Sequence, residues 1–511
     1  MEPKDHENLR GTHLVLDYDL LTAVMSVSCR DTASKLMRTC WALYRAGARY
    51  ILDGGVDIDG NIVGSLMPSL CMFLVAEDGQ RLQYLRGLRI GRITQPLDPD
   101  FVSLLARASH LESLTILLAE NLLTSNPMFD HIISQELLSL RRLNLNRAGE
   151  KTVEVLRQMR APLVSLDIAF IDIREFSRNS QGQEQQPWYP AVFSAKLATS
   201  LQTLRITPVI LDEPFGGSMT YPQLHNLLLL DNAPLTRSYI QSCPSLRELG
   251  VLTMRQPWDA EDEQNFPEPA AIRRRNIEDQ VSLGTWPGLE EFSGNVAALY
   301  LFGLTCPVQR IVFEIVDDWS FPLLAPAIGE TRPKYLELWL SCEQLSGYRG
   351  PYLTDALKSP GAASLEQLDL RICIQNHDLD EEVYTVLGML RDTLIHMQLK
   401  SLRLGLYPAQ SLDPDRPYSY YYHDTSLTTD QLRERPLLPI ELLLREYDFG
   451  RYAQEVFAGT PSLKHAQLAV EGPRHEQVRI VHVNRSEGGD IVVRKQHKKY
   501  PHAIDGAFEW A

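Results

Sequence analysis

This sequence predicts an α/β solenoid preceded by a small helical domain. Three observations carry that reading: a leucine phrase recurs along most of the chain, the text between phrases has helical apolar spacing, and residues 14–52 follow neither rhythm.

The phrase is Leu-x-x-Leu-x-(Leu/Ile/Val), its six positions numbered here from the first leucine. It starts at Leu85, Leu111, Leu140, Leu163, Leu201, Leu224, Leu246, Leu365 and Leu399. Nine matches exceed the roughly three that a shuffled chain of this composition would show. From Leu85 to Leu246 the starts are 26, 29, 23, 38, 23 and 22 residues apart, which is repeat spacing. Looser versions begin at Leu289 (LEEFSG), Val308 (VQRIVF), Tyr335 (YLELWL) and Leu463 (LKHAQL), so the second half carries longer intervals.

Positions 4 and 6 of the phrase point to one side of a short strand, and the position-1 leucine leads in from the turn before it. Phe101–Ala108, Thr152–Met159 and Glu381–Leu390 have the apolar spacing of helices. A unit of helix, turn and strand buries little alone, but stacked copies share a core. The phrases CPSLRELGV, YPQLHNLLL and TPSLKHAQL resemble the helix-to-strand passage of the leucine-rich repeats found in many F-box proteins. That resemblance implies a leucine-rich-repeat solenoid, a horseshoe with its strands inside the curve. The family's Asn or Cys, eight residues after the first leucine, is present as Asn232 and Cys373.

Residues 14–52 (LVLDYDLLTAVMSVSCRDTASKLMRTCWALYRAGARYIL) place apolar residues at 20, 21, 24 and 25 and again at 33, 36, 37 and 40. Polar breaks at Cys29–Asp31 divide them into short helices. The segment resembles a divergent F-box of the kind that opens fungal proteins with leucine-rich repeats. Leu16-Asp17-Tyr18-Asp19-Leu20-Leu21 followed by Val24 stands where that motif has Leu-Pro-x-(Glu/Asp)-Leu-Leu and then Ile, with Asp17 in place of the proline. Asp can still start a helix by capping it. Thr39–Gly47 (TCWALYRAG) is similar to the motif's Cys-x-x-(Trp/Leu) ending.

The family's F-box docks on a Skp-type linker of a cullin ubiquitin ligase. The resemblance gives that contact to Leu16, Leu20, Leu21, Val24, Leu36, Met37, Cys40 and Trp41. The same residues would also serve as a plain helical cap on the end of a repeat stack. The expected organisation is an F-box-like domain over 1–55 and repeats over 56–511. Loops are expected near 177–190, 255–280 and 408–439, the last containing the tyrosine-rich PYSYYYHD.

Composition narrows the function. With 44% hydrophobic and 23% charged residues the chain reads as globular, and a net charge of −15 opposes binding to nucleic acid or anionic membrane. The basic runs Arg273–Arg275 and Arg494–Lys499 read as solvated loop charge. Seven cysteines without a C-x-x-C pair fit reduced thiols in the cytoplasm or nucleus, with Cys29 and Cys40 expected to pack as small apolar groups. The polar N-terminus lacks a signal peptide's pattern, and the apolar run Ser65–Ala76 is too short to span a bilayer.

No nucleophile elbow, P-loop, dinucleotide fingerprint or H-E-x-x-H occurs, so neither an enzyme nor a cofactor is expected. The acidic run Asp53–Gly60 lacks carboxylates where a calcium loop needs them, and His475 and His482 lack companions at zinc spacing. Outward strand positions instead predict an exposed ladder for a protein target: Arg142, Asn144, Asn146, Asp167, Arg205, Glu337, Trp339, Asp369, Arg371 and Arg403. The expected role is a non-catalytic substrate-recognition adaptor of a Skp-cullin-F-box ligase. A repeat scaffold that binds proteins without a ligase is the alternative.

Overall fold

Asp17 opens the first helix: its carboxylate accepts the backbone N–H of Asp19 at 3.4 Å, the capping role that the missing proline leaves to it. In the computed structural model the described residues are 17–59, 63–93, 96–170, 193, 195–207, 219–230, 236–252, 268–315, 320–347, 349–374, 380–408, 439–471, 478–486 and 489–498. The fold is α/β. It forms two compact units, one ending at Arg205 and one beginning at Ile206.

The first unit starts with α1 (Tyr18–Val27), α2 (Arg30–Met37), α3 (Trp41–Leu52) and α4 (Val63–Val75). Met25, Ala33, Met37 and Leu43 form the core of the first three, with Leu21, Leu36 and Tyr44 packed against it. Gly47 lets the helices approach closely, because a Cβ there would overlap the Met25 and Met37 side chains. Arg81 ties these helices to the strands that follow. It is 1% exposed, its guanidinium 4.4 Å from the Tyr44 ring and 4.5 Å from the Phe73 ring, and it pairs with Glu77 at 2.9 Å. A buried cation needs such a partner, and burial alone would pull its pKa down; the Glu77 carboxylate reverses that.

Strands β1 (Val56–Ile58), β2 (Gly87–Ile90), β3 (Ser113–Ile116), β4 (Arg142–Ala148) and β5 (Ser165–Phe170) follow, and β6 (Thr203–Thr207) begins at the end of this unit. From β1 to β5 each runs parallel to the next in chain order. Register aligns the phrase with itself: Leu88 faces Leu114, Leu114 faces Leu143, and Leu143 faces Leu166. The leading leucines Leu85, Leu111, Leu140, Leu163 and Leu201 are at most 1% exposed. Buried residues alternate along β3 and β4, so helices cover one face of the sheet and the other is polar. The expected helices are present as Pro99–Ala106 and Glu150–Gln158. The second is capped from the neighbouring repeat, since Glu120 accepts from Lys151 N at 2.8 Å and from Thr152 N at 3.0 Å.

The second unit holds β7 (Asn226–Leu230), β8 (Glu248–Leu252), β9 (Leu289–Asn295), β10 (Val308–Ile315), β11 (Tyr335–Ser341), β12 (Gln367–Ile374), β13 (Ser401–Pro408), β14 (His465–Glu471), β15 (Val478–Arg485) and β16 (Ile491–Lys498). β7 to β14 are parallel, and β15 and β16 close the order antiparallel. The expected helix Glu381–Leu390 is part of Asp380–Leu394.

Four sequence expectations are corrected here. Tyr335 is not a leading residue: Leu336 pairs with Ile311 and with Leu368, so the phrase leads from Pro333 and Tyr335 occupies the polar face. The expected loop 255–280 is helical where described, over Pro269–Leu283. Its polar residues misled because they serve the interior: Asn276 donates to Leu301 O at 2.7 Å, and Gln280 donates to Gly303 O at 2.8 Å and accepts from Thr305 N at 3.0 Å. These bonds satisfy the open end of the helix Val296–Phe302. The basic runs are also not loop charge. Arg273 is buried, paired with Glu330 at 2.6 Å, and Arg494 and Lys495 lie on β16. Cys373, at the position of the family's Asn or Cys, lies within β12, so it does not mark the end of the strand. Residues 177–190, 409–438 and Asn232 lie outside the described residues.

The core placement of Met37 yields a paired expectation. Met37→Ala should cost about 2–5 kcal/mol of stability, as core truncations do, whereas Leu20→Ala, half-exposed on α1, should stay within about 0.5 kcal/mol. Urea midpoints at constant m-value check both.

Candidate protein-binding surfaces

On the polar face of the second unit, parallel pairing places like positions of successive repeats side by side. One row runs Glu337, Asp369, Arg403 and Gln467; the row before it runs Glu291, Arg310, Tyr335 and Gln367. These side chains form one network around Glu337. Its Oε1 accepts from Trp339 Nε1 at 3.2 Å and pairs with Arg371 Nη2 at 2.9 Å. Its Oε2 accepts from the Tyr335 hydroxyl at 3.0 Å and pairs with Arg310 Nη2 at 3.4 Å. Arg310 also reaches Glu291 at 3.2 Å.

Asp369 lies beneath this network at 1% exposure, with Arg371 Nε 3.8 Å and Arg403 Nη1 3.9 Å away. Burial pushes its carboxyl up to about 6 against the pull of Arg371 and Arg403, with Glu337 adding to the rise. Burial likewise pulls Arg403 down, while Arg371 ends above its usual value because Asp369 and Glu337 outweigh its burial. Arg371 stacks 4.7 Å over the Trp339 ring and Arg310 lies 4.7 Å over the Tyr335 ring. A cavity of about 590 Å³ opens above, lined by residues that include Arg310, Lys334, Tyr335, Glu337, Arg371 and Arg403.

The structure thus joins five of the expected target-binding residues, Glu337, Trp339, Asp369, Arg371 and Arg403, into one cluster. It does not expose them all: Glu337, Asp369 and Arg403 are buried, because long neighbouring side chains fold over them. Arg310, Lys334 and Tyr335 escaped the sequence reading. The first two stand in weak copies of the phrase, and the third was hidden by the phase error at Tyr335.

In the first unit Arg142 and Arg205 are exposed and Asn144, Asn146 and Asp167 half-buried. Asn144 donates to Asp167 at 3.2 Å and Arg205 approaches it at 4.0 Å; burial raises the Asp167 carboxyl, with Arg205 opposing.

The expected linker contacts divide. Leu20, Val24 and Trp41 are 51%, 39% and 66% exposed, and Cys40 is exposed. Leu21 and Leu36 are half-buried against the helical core, and Met37 belongs to it and is buried rather than presented to a partner. Leu16 lies outside the described residues. Val27, 86% exposed, was missed, although it continues the Leu20–Val24 stripe one turn on. Trp41 stacks on Tyr44 at 5.3 Å. Cys29 and Cys40 do not pack as apolar groups but are exposed at the starts of α2 and α3; a hydrogen bond with the Thr32 hydroxyl lowers the Cys29 thiol.

Among the described residues no group of three or more His, Cys, Asp or Glu is placed to hold a metal, and no helix is long and apolar enough to cross a membrane. Comparison with known proteins finds no matching family model and no matching curated relative.

Asp369 makes stability depend on pH. Its folded carboxyl holds a proton up to about pH 6, while the unfolded one releases it near its ordinary value of about 4. Its contribution is therefore greatest at low pH and falls as pH rises from about 4 to about 6. Asp369→Asn should flatten that fall, by on the order of 2 kcal/mol, in unfolding curves of wild type and variant compared across the range.

Proposed function

We propose that this protein is the substrate-recognition adaptor of a Skp-cullin-F-box ubiquitin ligase. In this reading α1–α3 are the F-box, and the helix-strand units are leucine-rich repeats whose polar sheet face receives the target. The observation that carries it is the stripe Leu20, Val24 and Val27 on α1, exposed although the three helices already fill their core with Met25, Ala33, Met37 and Leu43. Apolar residues that a helix does not use for its own packing suit a helix-in-groove partner. A plain cap would turn such residues onto the repeats. The repeat assignment is supported by the burial of phrase positions 1, 4 and 6 and by parallel strands in chain order.

The adaptor carries no chemistry of its own. It raises the local concentration of target lysines at a ligase that other subunits supply.

The test is co-expression with the Skp-type linker and cullin of the source organism, followed by pull-down. Wild type should capture the linker, Leu20→Asp with Val24→Asp should lose it, and Trp339→Ala should keep it. Each aspartate would be an unpaired charge against apolar surface, so the pair should weaken binding by at least about a hundredfold. Equal capture by wild type and the α1 variant, or failure of folded wild type to bind, would refute the ligase role and leave a repeat scaffold.

A further inference from the structure

The cavity above β10–β13 has an unequal supply of charges. Its carboxylates are already engaged: Glu337 by Arg371 and Arg310, Glu366 by Lys400 at 2.7 Å, and Glu290 by Arg247 at 3.3 Å. Of its cations, Arg371 is paired with Glu337 and Asp369 and Arg403 with Asp369, while the two at the mouth remain accessible. Lys334 is exposed and makes no ion pair among the described residues, and Arg310 keeps 47% of its side chain exposed beside its two carboxylates. A cation entering here would find each lining carboxylate already paired, whereas an anion would meet Lys334 and Arg310 at the mouth and Arg371 and Arg403 within. The whole chain carries −15, so this local excess runs against the general field.

We propose that the cavity seats an anionic group of the bound protein, a carboxylate or a phosphate, against Lys334, Arg310, Arg371 and Arg403. The inference rests on the reading that this sheet face holds a protein target, and it names the chemistry of that target's contact. Asp369 is then a resident competitor. Buried below the cavity, it faces Glu337 and Tyr335 from β11, Arg371 on its own strand and Arg403 from β13, and it holds the two inner arginines while the seat is empty. An arriving anion favours the protonated form of Asp369, so binding takes up a proton and weakens as pH rises through about 6.

Fluorescence anisotropy of the full chain with three labelled peptides tests this. One repeats Gly-Ser-Glu, one repeats Gly-phosphoserine-Gln, and one repeats the neutral Gly-Ser-Gln. At least one anionic peptide should bind about tenfold tighter than the neutral one, and the preferred anion identifies the source. Lys334→Glu, on an exposed position that leaves the fold alone, should remove the advantage. The Gly-Ser-Glu peptide, which stays ionised throughout, should bind several-fold more weakly at about pH 7.5 than at about pH 5.5, and Asp369→Asn should abolish that difference. Equal binding of all three peptides, indifference to Lys334→Glu, or no binding by any peptide would overturn the anion seat. Linker capture in the pull-down reports on the adaptor role independently, so the two failures are distinguishable.

Discussion

At the mouth of most strands the carbonyl just after the leading residue accepts two N–H groups from the next repeat. Arg86 O takes those of Glu112 and Ser113, Glu112 O those of Arg141 and Arg142, and Arg141 O those of Val164 and Ser165. In the second unit Arg247, Lys334, Glu366 and Lys400 play the same part. This bond pair fixes the start of each strand relative to its neighbour, and the side-chain period of two then fixes which residues go inside. A slip of one residue would turn Leu336, Leu368 and Leu402 out to water and bring charges into the core. The turn and the leucines enforce the same register.

Once register is set, the polar face is no longer free to be a loose collection of charges. Parallel neighbours place like positions within reach, so like charges in one row would repel. One row alternates, Glu291, Arg310 and Tyr335; the next sets two carboxylates, Glu337 and Asp369, side by side before Arg403, and arginines on both sides offset their repulsion. Crowding also removes water. Glu337 gains four donors in exchange, while Asp369, deeper and less well served, keeps the raised proton affinity of a poorly solvated carboxylate.

The helical segment solves a different problem. Three short helices cannot hold together on propensity alone, and they depend on the methionines that Gly47 admits and on the Arg81 clamp between Tyr44 and Phe73. With that core filled, the Leu20, Val24 and Val27 side of α1 stays exposed among the described residues. The residues that hold the three helices together and the exposed apolar residues are thus separate positions of the same helix, and substitutions can test them separately.

Apart from the copy at Tyr335, the repeat phase was legible in the sequence, as were the α/β architecture, the short N-terminal helices and the capping role of Asp17, because periodicity and local capping depend on near neighbours along the chain. Leucine spacing even placed Glu337, Asp369 and Arg403 on the polar face. It could not say that they would be buried, that Met37 belongs to the core while Val27 does not, or that Asn276 and Gln280 cap a helix some 25 residues on. Those outcomes depend on which distant side chains arrive beside them. A residue's face follows from its own strand or helix; its solvent, partners and proton affinity come from the neighbours that the tertiary structure brings.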